Sequence, residues 1–84
     1  MIYETDIDFI LRLNIMNTLI QCRKQKELTQ EQVAEMIGKK KTTVASWEQG
    51  KSLPDLTTLY HLARYYELPL EAFYEGSINL KKEE

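Results

Sequence analysis

Several function classes are short of the residues they need. The chain has 84 residues, with one cysteine, one histidine, two prolines and three glycines. A single cysteine, Cys22, cannot form an internal disulfide, which fits a reducing cytoplasm. No cluster of His, Cys, Asp or Glu has metal-ligand spacing, so no metal and no cofactor is expected. The few glycines lie near helix ends and build no phosphate-cradling loop. His61 stands alone within a helical pattern, and no nucleophile–base pair is evident, so an enzyme is not expected. No apolar run approaches the roughly 18 residues of a membrane-spanning helix, and no signal peptide opens the chain. The expectation is a cytoplasmic protein without a membrane partner.

What remains is ordinary globular material, 43% hydrophobic and 29% charged. The length suits one domain. A chain of this size buries only about 60% of its unfolded surface, so its core is thin. The net charge of −2 argues at first against nucleic acid. The distribution reverses this. Arg23, Lys24, Lys26, Lys39, Lys40, Lys41 and Lys51 face four anions between residues 23 and 51, a local balance of +3. Residues 1–22 carry −2 and residues 52–84 carry −3. A basic centre between acidic ends can support DNA binding.

That centre contains QEQVAEMIGKKKTTVASWEQ, from Gln30 to Gln49. It reads as two short helices joined by a tight turn. Ala34 is small enough to let the helices approach. Gly38 suits the left-handed turn residue. Val44 and Trp47, at i and i+3, point inward. This is the spacing of a helix-turn-helix, whose second helix enters the DNA major groove.

Five helices and no strand are expected. Helix 1 covers about 10–26, with Ile15, Leu19 and Cys22 on one face. Helix 2 runs from about Gln30 to Ile37, capped by Thr29, with Val33, Ala34 and Ile37 inward. Helix 3 spans about 41–49 and ends at Gly50. Helix 4 opens with Pro54 and Asp55, and its inward stripe is Leu59, Leu62, Ala63 and Tyr66. Helix 5 covers about 69–74, ends at Gly76, and leads into a tail at 76–84. The expected organisation is an N-terminal extension and helix start at 1–14, a DNA-binding unit at 15–75, and that tail.

The stretch from about Ile15 to Phe73 resembles the Cro/cI-type (XRE) helix-turn-helix domain of phage and bacterial repressors. The resemblance rests on Arg23, on Leu28-Thr29-Gln30-Glu31-Gln32-Val33-Ala34, on Val44-Ala45-Ser46-Trp47-Glu48-Gln49-Gly50 and on Pro54-Asp55. It implies an all-α, five-helix bundle of the lambda-repressor-like type, with the helix-turn-helix as helices 2 and 3. Three positions depart from the pattern. Glu27 replaces a helix-ending glycine, Lys39 replaces an apolar turn residue, and Lys40 replaces a Ser or Thr cap.

Helix 3 turns about 100° per residue. With Val44 and Trp47 inward, Thr42, Ala45, Ser46 and Gln49 fall on the opposite side, and Lys41 sits at the tip. The resemblance implies base contacts from Lys41, Thr42 and Ser46, with Ala45 on the same reading surface. Lys41 can donate to guanine, Thr42 and Ser46 can donate or accept, and the Thr42 methyl can meet thymine. The plain alternative is a solvated helix face. Gln30 would meet a phosphate at the start of helix 2. Lys39, Lys40 and Lys41 oppose the helix dipole at about 0.3–1 kcal/mol each, which a docked phosphate would relieve. Lys39, Lys40, Gln49 and Lys51 complete the expected phosphate set. The resemblance also implies a structural ion pair between Arg23 and Glu48, which suits the planar arginine fork.

The expected function is a sequence-specific regulator of transcription, a repressor binding a palindromic operator on double-stranded DNA as a homodimer. One module offers few base contacts, which favours pairing. Spare apolar residues occur at both ends of the chain. Phe73, Tyr74, Ile78 and Leu80, with Ile2 and Tyr3, are the expected dimer interface. The alternative is a protein-interaction module, such as the antitoxin of a toxin–antitoxin pair. The same apolar residues would then bind the protein partner, or merely cap the core.

Overall fold

The computed structural model describes the backbone of residues 4–75 and the side chains of residues 7–75. Among them are five helices and no strand: α1 (Glu4–Gln25), α2 (Gln30–Ile37), α3 (Lys41–Glu48), α4 (Leu56–Tyr66) and α5 (Glu71–Glu75). The all-α architecture follows the sequence expectation closely at α2 and α3. The expected interface residues Ile2, Tyr3, Ile78 and Leu80, and the tail, lie outside the described residues.

α1 begins at Glu4 rather than near Ile10. Its buried face holds Ile15, Thr18, Leu19 and Cys22. A second apolar set on the same helix, Ile7, Phe9, Ile10 and Leu13, is exposed, with Phe9 at 65%. The helix ends through Glu27, which takes the left-handed conformation at φ 58. Its N–H bonds the Lys24 carbonyl, and Leu28 N–H bonds the Arg23 carbonyl at 3.1 Å. A glutamate therefore adopts the backbone that a glycine adopts at little cost.

α2 opens with a reciprocal cap. Gln32 N–H donates to Thr29 Oγ1 at 3.0 Å, and Thr29 N–H donates to Gln32 Oε1 at 2.8 Å. Two orphan donors of the first turn are satisfied together. Gly38 closes the helix at φ 70, and Lys39 N–H reaches the Ala34 carbonyl at 2.9 Å. The left-handed turn carries the chain directly into α3. Asp55 caps α4 by accepting the Thr58 N–H at 2.9 Å. Hydrogen bonding from the Thr58 side chain, then from its backbone N–H, with a smaller effect from the charge of Lys39, holds the Asp55 carboxyl below its ordinary value of 3.8.

Leu59, Leu62, Ala63 and Tyr66 of α4 are buried against Ile15, Leu19, Val33, Ala34, Val44 and Trp47. α1 packs on α3 and α5, and α2 packs on α3 and α4. The core is thus the surface on which α3 rests. Each fully buried large apolar side chain contributes about 1.5–3 kcal/mol relative to exposure.

Two expectations at the C-terminal side are corrected. α5 starts at Glu71 rather than at Pro69, because the Pro69 carbonyl first closes a turn by accepting Ala72 N–H at 3.0 Å. Phe73, expected at a dimer interface, is inside the core at 0% exposure. Its ring fills the space between α5 and the rest of the bundle, so it has no surface to offer a second copy. Tyr74 remains half-buried, and its carbonyl accepts Asn14 Nδ2 at 2.6 Å, which ties α5 to α1.

Candidate nucleic-acid interface

α3 presents two unlike sides. Val44 and Trp47 are buried. Lys41, Thr42 and Gln49 are exposed, while Ala45 and Ser46 are half-buried on the side away from the core. The helix period separates the two sets, as the spacing of apolar residues requires.

Lys39, Lys40 and Lys41 are all exposed at the N-terminus of α3. Lys40 occupies the cap position with φ −89 and ψ 152 and makes no side-chain cap hydrogen bond. The first N–H groups of a helix have no intrahelical partner, and a lysine side chain has no acceptor to give them. This end of α3 therefore joins three cations to uncapped amide dipoles. Such a surface favours an anion strongly. Lys51 adds a fourth exposed cation just past the other end of α3.

α3 is fixed at its C-terminal end by Arg23 and Glu48. Arg23 Nε donates to Glu48 Oε2 at 2.7 Å, and Arg23 Nη2 donates to Glu48 Oε1 at 2.9 Å. The remaining arm, Nη1, donates to the Leu28 carbonyl at 2.8 Å. Gln30 Nε2 donates to Glu48 Oε1 at 2.9 Å. One carboxylate thus joins the end of α1, the start of α2 and the end of α3. The side chains are only 15% and 6% exposed for Arg23 and Glu48. The Glu48 hydrogen bond raises the arginine's pKa against the opposing effect of burial. Planar two-point contact of this kind is beyond lysine. Nearby, burial pushes the Cys22 thiol up to about 11 and raises the Tyr66 phenol as well.

Two details escaped the sequence reading. Gln30, expected to face a phosphate, gives an amide N–H to Glu48. Ser46, expected to face a base, has its hydroxyl 2.8 Å from that of Ser52. Neither Ser52 nor the Gln30–Glu48 contact lies on a helical repeat, so periodicity could not reveal them. Ala45 and Gln49 flank Ser46 on the same outward side of α3.

Among the described residues, no group of three or more His, Cys, Asp or Glu could hold a metal ion. His61 lines an open crevice of about 350 Å³ with Met36, Ile37, Thr58 and Tyr65, away from α3. No described helix is long and apolar enough to cross a membrane.

Comparison with known proteins agrees with this geometry. The helix-turn-helix family profile matches residues 19–73. The chain is 33% identical over 58 residues to the HTH-type transcriptional activator BcrR of Enterococcus faecalis, covering 69% of this chain and 28% of that protein. It is 33% identical over 63 residues to the uncharacterized HTH-type transcriptional regulator YqaE of Bacillus subtilis (strain 168), covering 75% of this chain and 54% of the relative. It is 40% identical over 55 residues to the cryptic phage CTXphi transcriptional repressor RstR of Vibrio cholerae, covering 66% of this chain and 50% of the relative. The chain therefore spans about half or less of the length of these relatives. No solved structure matches it. With α2 and α3 joined at Gly38 and the profile spanning 19–73, the chain belongs to the Cro/cI-type (XRE) helix-turn-helix family of DNA-binding transcriptional regulators.

Proposed function

We propose that the protein is a sequence-specific regulator that reads a palindromic operator on double-stranded DNA as a homodimer. The observation that carries this reading is α3 itself. Its inner side is locked by Val44, Trp47 and Glu48, and its outer side offers Lys41, Thr42, Ala45 and Ser46. Those side chains supply donors, acceptors and small apolar contacts for base edges in the major groove. Lys39, Lys40, Gln49 and Lys51 flank them and serve phosphates. Gln30 keeps a second amide hydrogen for a phosphate at the start of α2, beside the free N–H groups of that first turn.

Residues 15–75 serve as the DNA-binding unit; residues 1–14, which include the start of α1, precede it, and residues 76–84 follow it. Pairing is supported by the exposed apolar residues Ile7, Phe9, Ile10 and Leu13 on α1, since an exposed patch of that kind marks an interaction surface. Tyr74 is the described member of the expected interface that retains surface. Repression is the favoured sign of regulation, on the likeness to a phage repressor. The cytoplasm is the assigned place of action, and no catalysis is assigned.

The same α1 patch supports a second reading, a protein-interaction module such as an antitoxin. Selection of bound duplexes from a random-sequence pool separates the two. A single enriched palindrome supports the regulator. Recovery of no preferred sequence favours the interaction module.

A further inference from the structure

The hydroxyl of Ser46 is held from outside its own helix. Ser46 Oγ and Ser52 Oγ lie 2.8 Å apart, and both residues are half-buried. The turn after α3 brings them together. Gly50 takes φ 77, its N–H bonds the Trp47 carbonyl at 3.1 Å, and Lys51 N–H bonds the Ser46 carbonyl at 2.9 Å. These two bonds close the helix end as a Schellman turn, so backbone geometry sets where Ser52 lies. The turn is seated on α1 as well, because a Cβ on Gly50 would come within 3.3 Å of Met16 Sδ.

A serine within a helix commonly turns its hydroxyl back to the carbonyl four residues earlier. The Ser52 contact competes with that arrangement and fixes the Ser46 oxygen on the outer side. It also takes up one of that oxygen's hydrogen-bonding sites, with either hydroxyl able to donate. A hydroxyl carries one proton and two acceptor sites. Where Ser52 donates, Ser46 presents its O–H to guanine O6 or N7, adenine N7 or thymine O4. Where Ser46 donates, it presents only lone pairs, which suit the amino groups of adenine or cytosine.

We propose that Ser52 is a positioning residue for base recognition: it fixes the Ser46 hydroxyl and sets whether that hydroxyl meets the base as donor or acceptor. This rests on the reading of α3 as the base-reading helix. Ser52 needs no DNA contact of its own.

The test is selection from a random-sequence duplex library at one salt concentration, with the full chain and its variants. Ser46→Ala and Ser52→Val change the preferred base at the same operator position, by about three- to tenfold, the scale of one neutral hydrogen bond. Ser52→Thr has the shape of Ser52→Val but keeps a hydroxyl, and it retains the wild-type preference. The double variant Ser46→Ala/Ser52→Val matches Ser46→Ala alone. Ser52→Ala repeats the comparison with a smaller side chain should the valine disturb folding. If Ser52→Val and Ser52→Ala keep the wild-type base where Ser46→Ala changes it, the role of Ser52 is overturned and base reading by Ser46 stands. If Ser46→Ala leaves the whole motif intact, both fall. A uniform loss of affinity at every position in the Ser52 variants would show a purely structural role and also overturn the proposal.

Discussion

Glu48 meets Arg23 through two parallel hydrogen bonds, at 2.7 and 2.9 Å, at the point where α3 ends. The pair is largely removed from water, and Gln30 adds a third donor to the same carboxylate. Removing one partner leaves a charge without compensation. Glu48→Ala is expected to cost about 3–5 kcal/mol toward the fully buried limit. The melting temperature should fall by more than about 10 °C, read by calorimetry. Gln30→Ala should cost much less, because the two arginine bonds remain. An unchanged melting temperature in Glu48→Ala would show that the pair does not hold the helices together.

Lys40 sits where a Ser or Thr would cap α3, and it makes no cap hydrogen bond. Lys40→Ser should stabilise the fold by about 0.5–2 kcal/mol. The same change should weaken binding to every DNA sequence. It should also flatten the salt dependence by about one unit of slope, the signature of one lost phosphate contact. Denaturant melts and binding titrations over a salt series give both numbers. Greater stability with an unaltered salt slope would remove Lys40 from the phosphate contacts.

Glu27 and Glu67 hold left-handed conformations at φ 58 and φ 60. A side chain at such a position carries strain that glycine avoids. Glu27→Gly and Glu67→Gly should each stabilise the protein by about 0.5–1 kcal/mol, after the entropy glycine adds to the unfolded chain. Denaturation midpoints at constant slope would check this. A loss of stability in both would show that the carboxylates matter more than the backbone.

Burial raises the Cys22 thiol from 9.0 to about 11. Since the folded value lies above the unfolded one, the associated stability is fully present below pH 9 and is lost as pH rises toward 11. The folded protein should resist iodoacetamide at pH 8, where the thiolate is scarce and shielded, and react readily once unfolded. Rapid alkylation of the folded chain at pH 8 would contradict the burial of this face of α1.

The helix-turn-helix was legible because its determinants obey local rules. Ala34, Gly38, Val44 and Trp47 stand at spacings that only two crossing helices explain, and Thr29 and Asp55 stand at helix starts. The Arg23–Glu48 pair became visible through family resemblance, since 25 residues separate its members. Other features depend on tertiary contacts that no period encodes. Phe73 was an apolar residue in a five-residue helix, and only the packing of α5 on α1 decides that it faces inward. The early start of α1 was hidden because Ile7, Phe9, Ile10 and Leu13 add an apolar surface outside the buried face, which blurs the single stripe that marks a helix. Ser52 was silent for a similar reason, since a turn rather than a helix places it beside Ser46.

The exposed α1 residues bear on pairing. Phe9→Glu puts a charge in the middle of the apolar set and should weaken cooperative loading of two copies on DNA without lowering the melting temperature. Sedimentation of the DNA complex reads the stoichiometry. Two copies per site in the wild type and one in the variant would support pairing through α1, and equal loading would move the interface elsewhere.

The decisive measurement is the affinity ratio between the duplex enriched from a random pool and a scrambled duplex of the same composition, taken at one physiological salt concentration. Recognition through α3 predicts a ratio of at least about 10³. It also predicts half-sites about 34 Å apart, and a marked fall in the ratio for Thr42→Ala. Equal affinity for the two duplexes, or a ratio that Thr42→Ala leaves untouched, would contradict sequence reading by this helix.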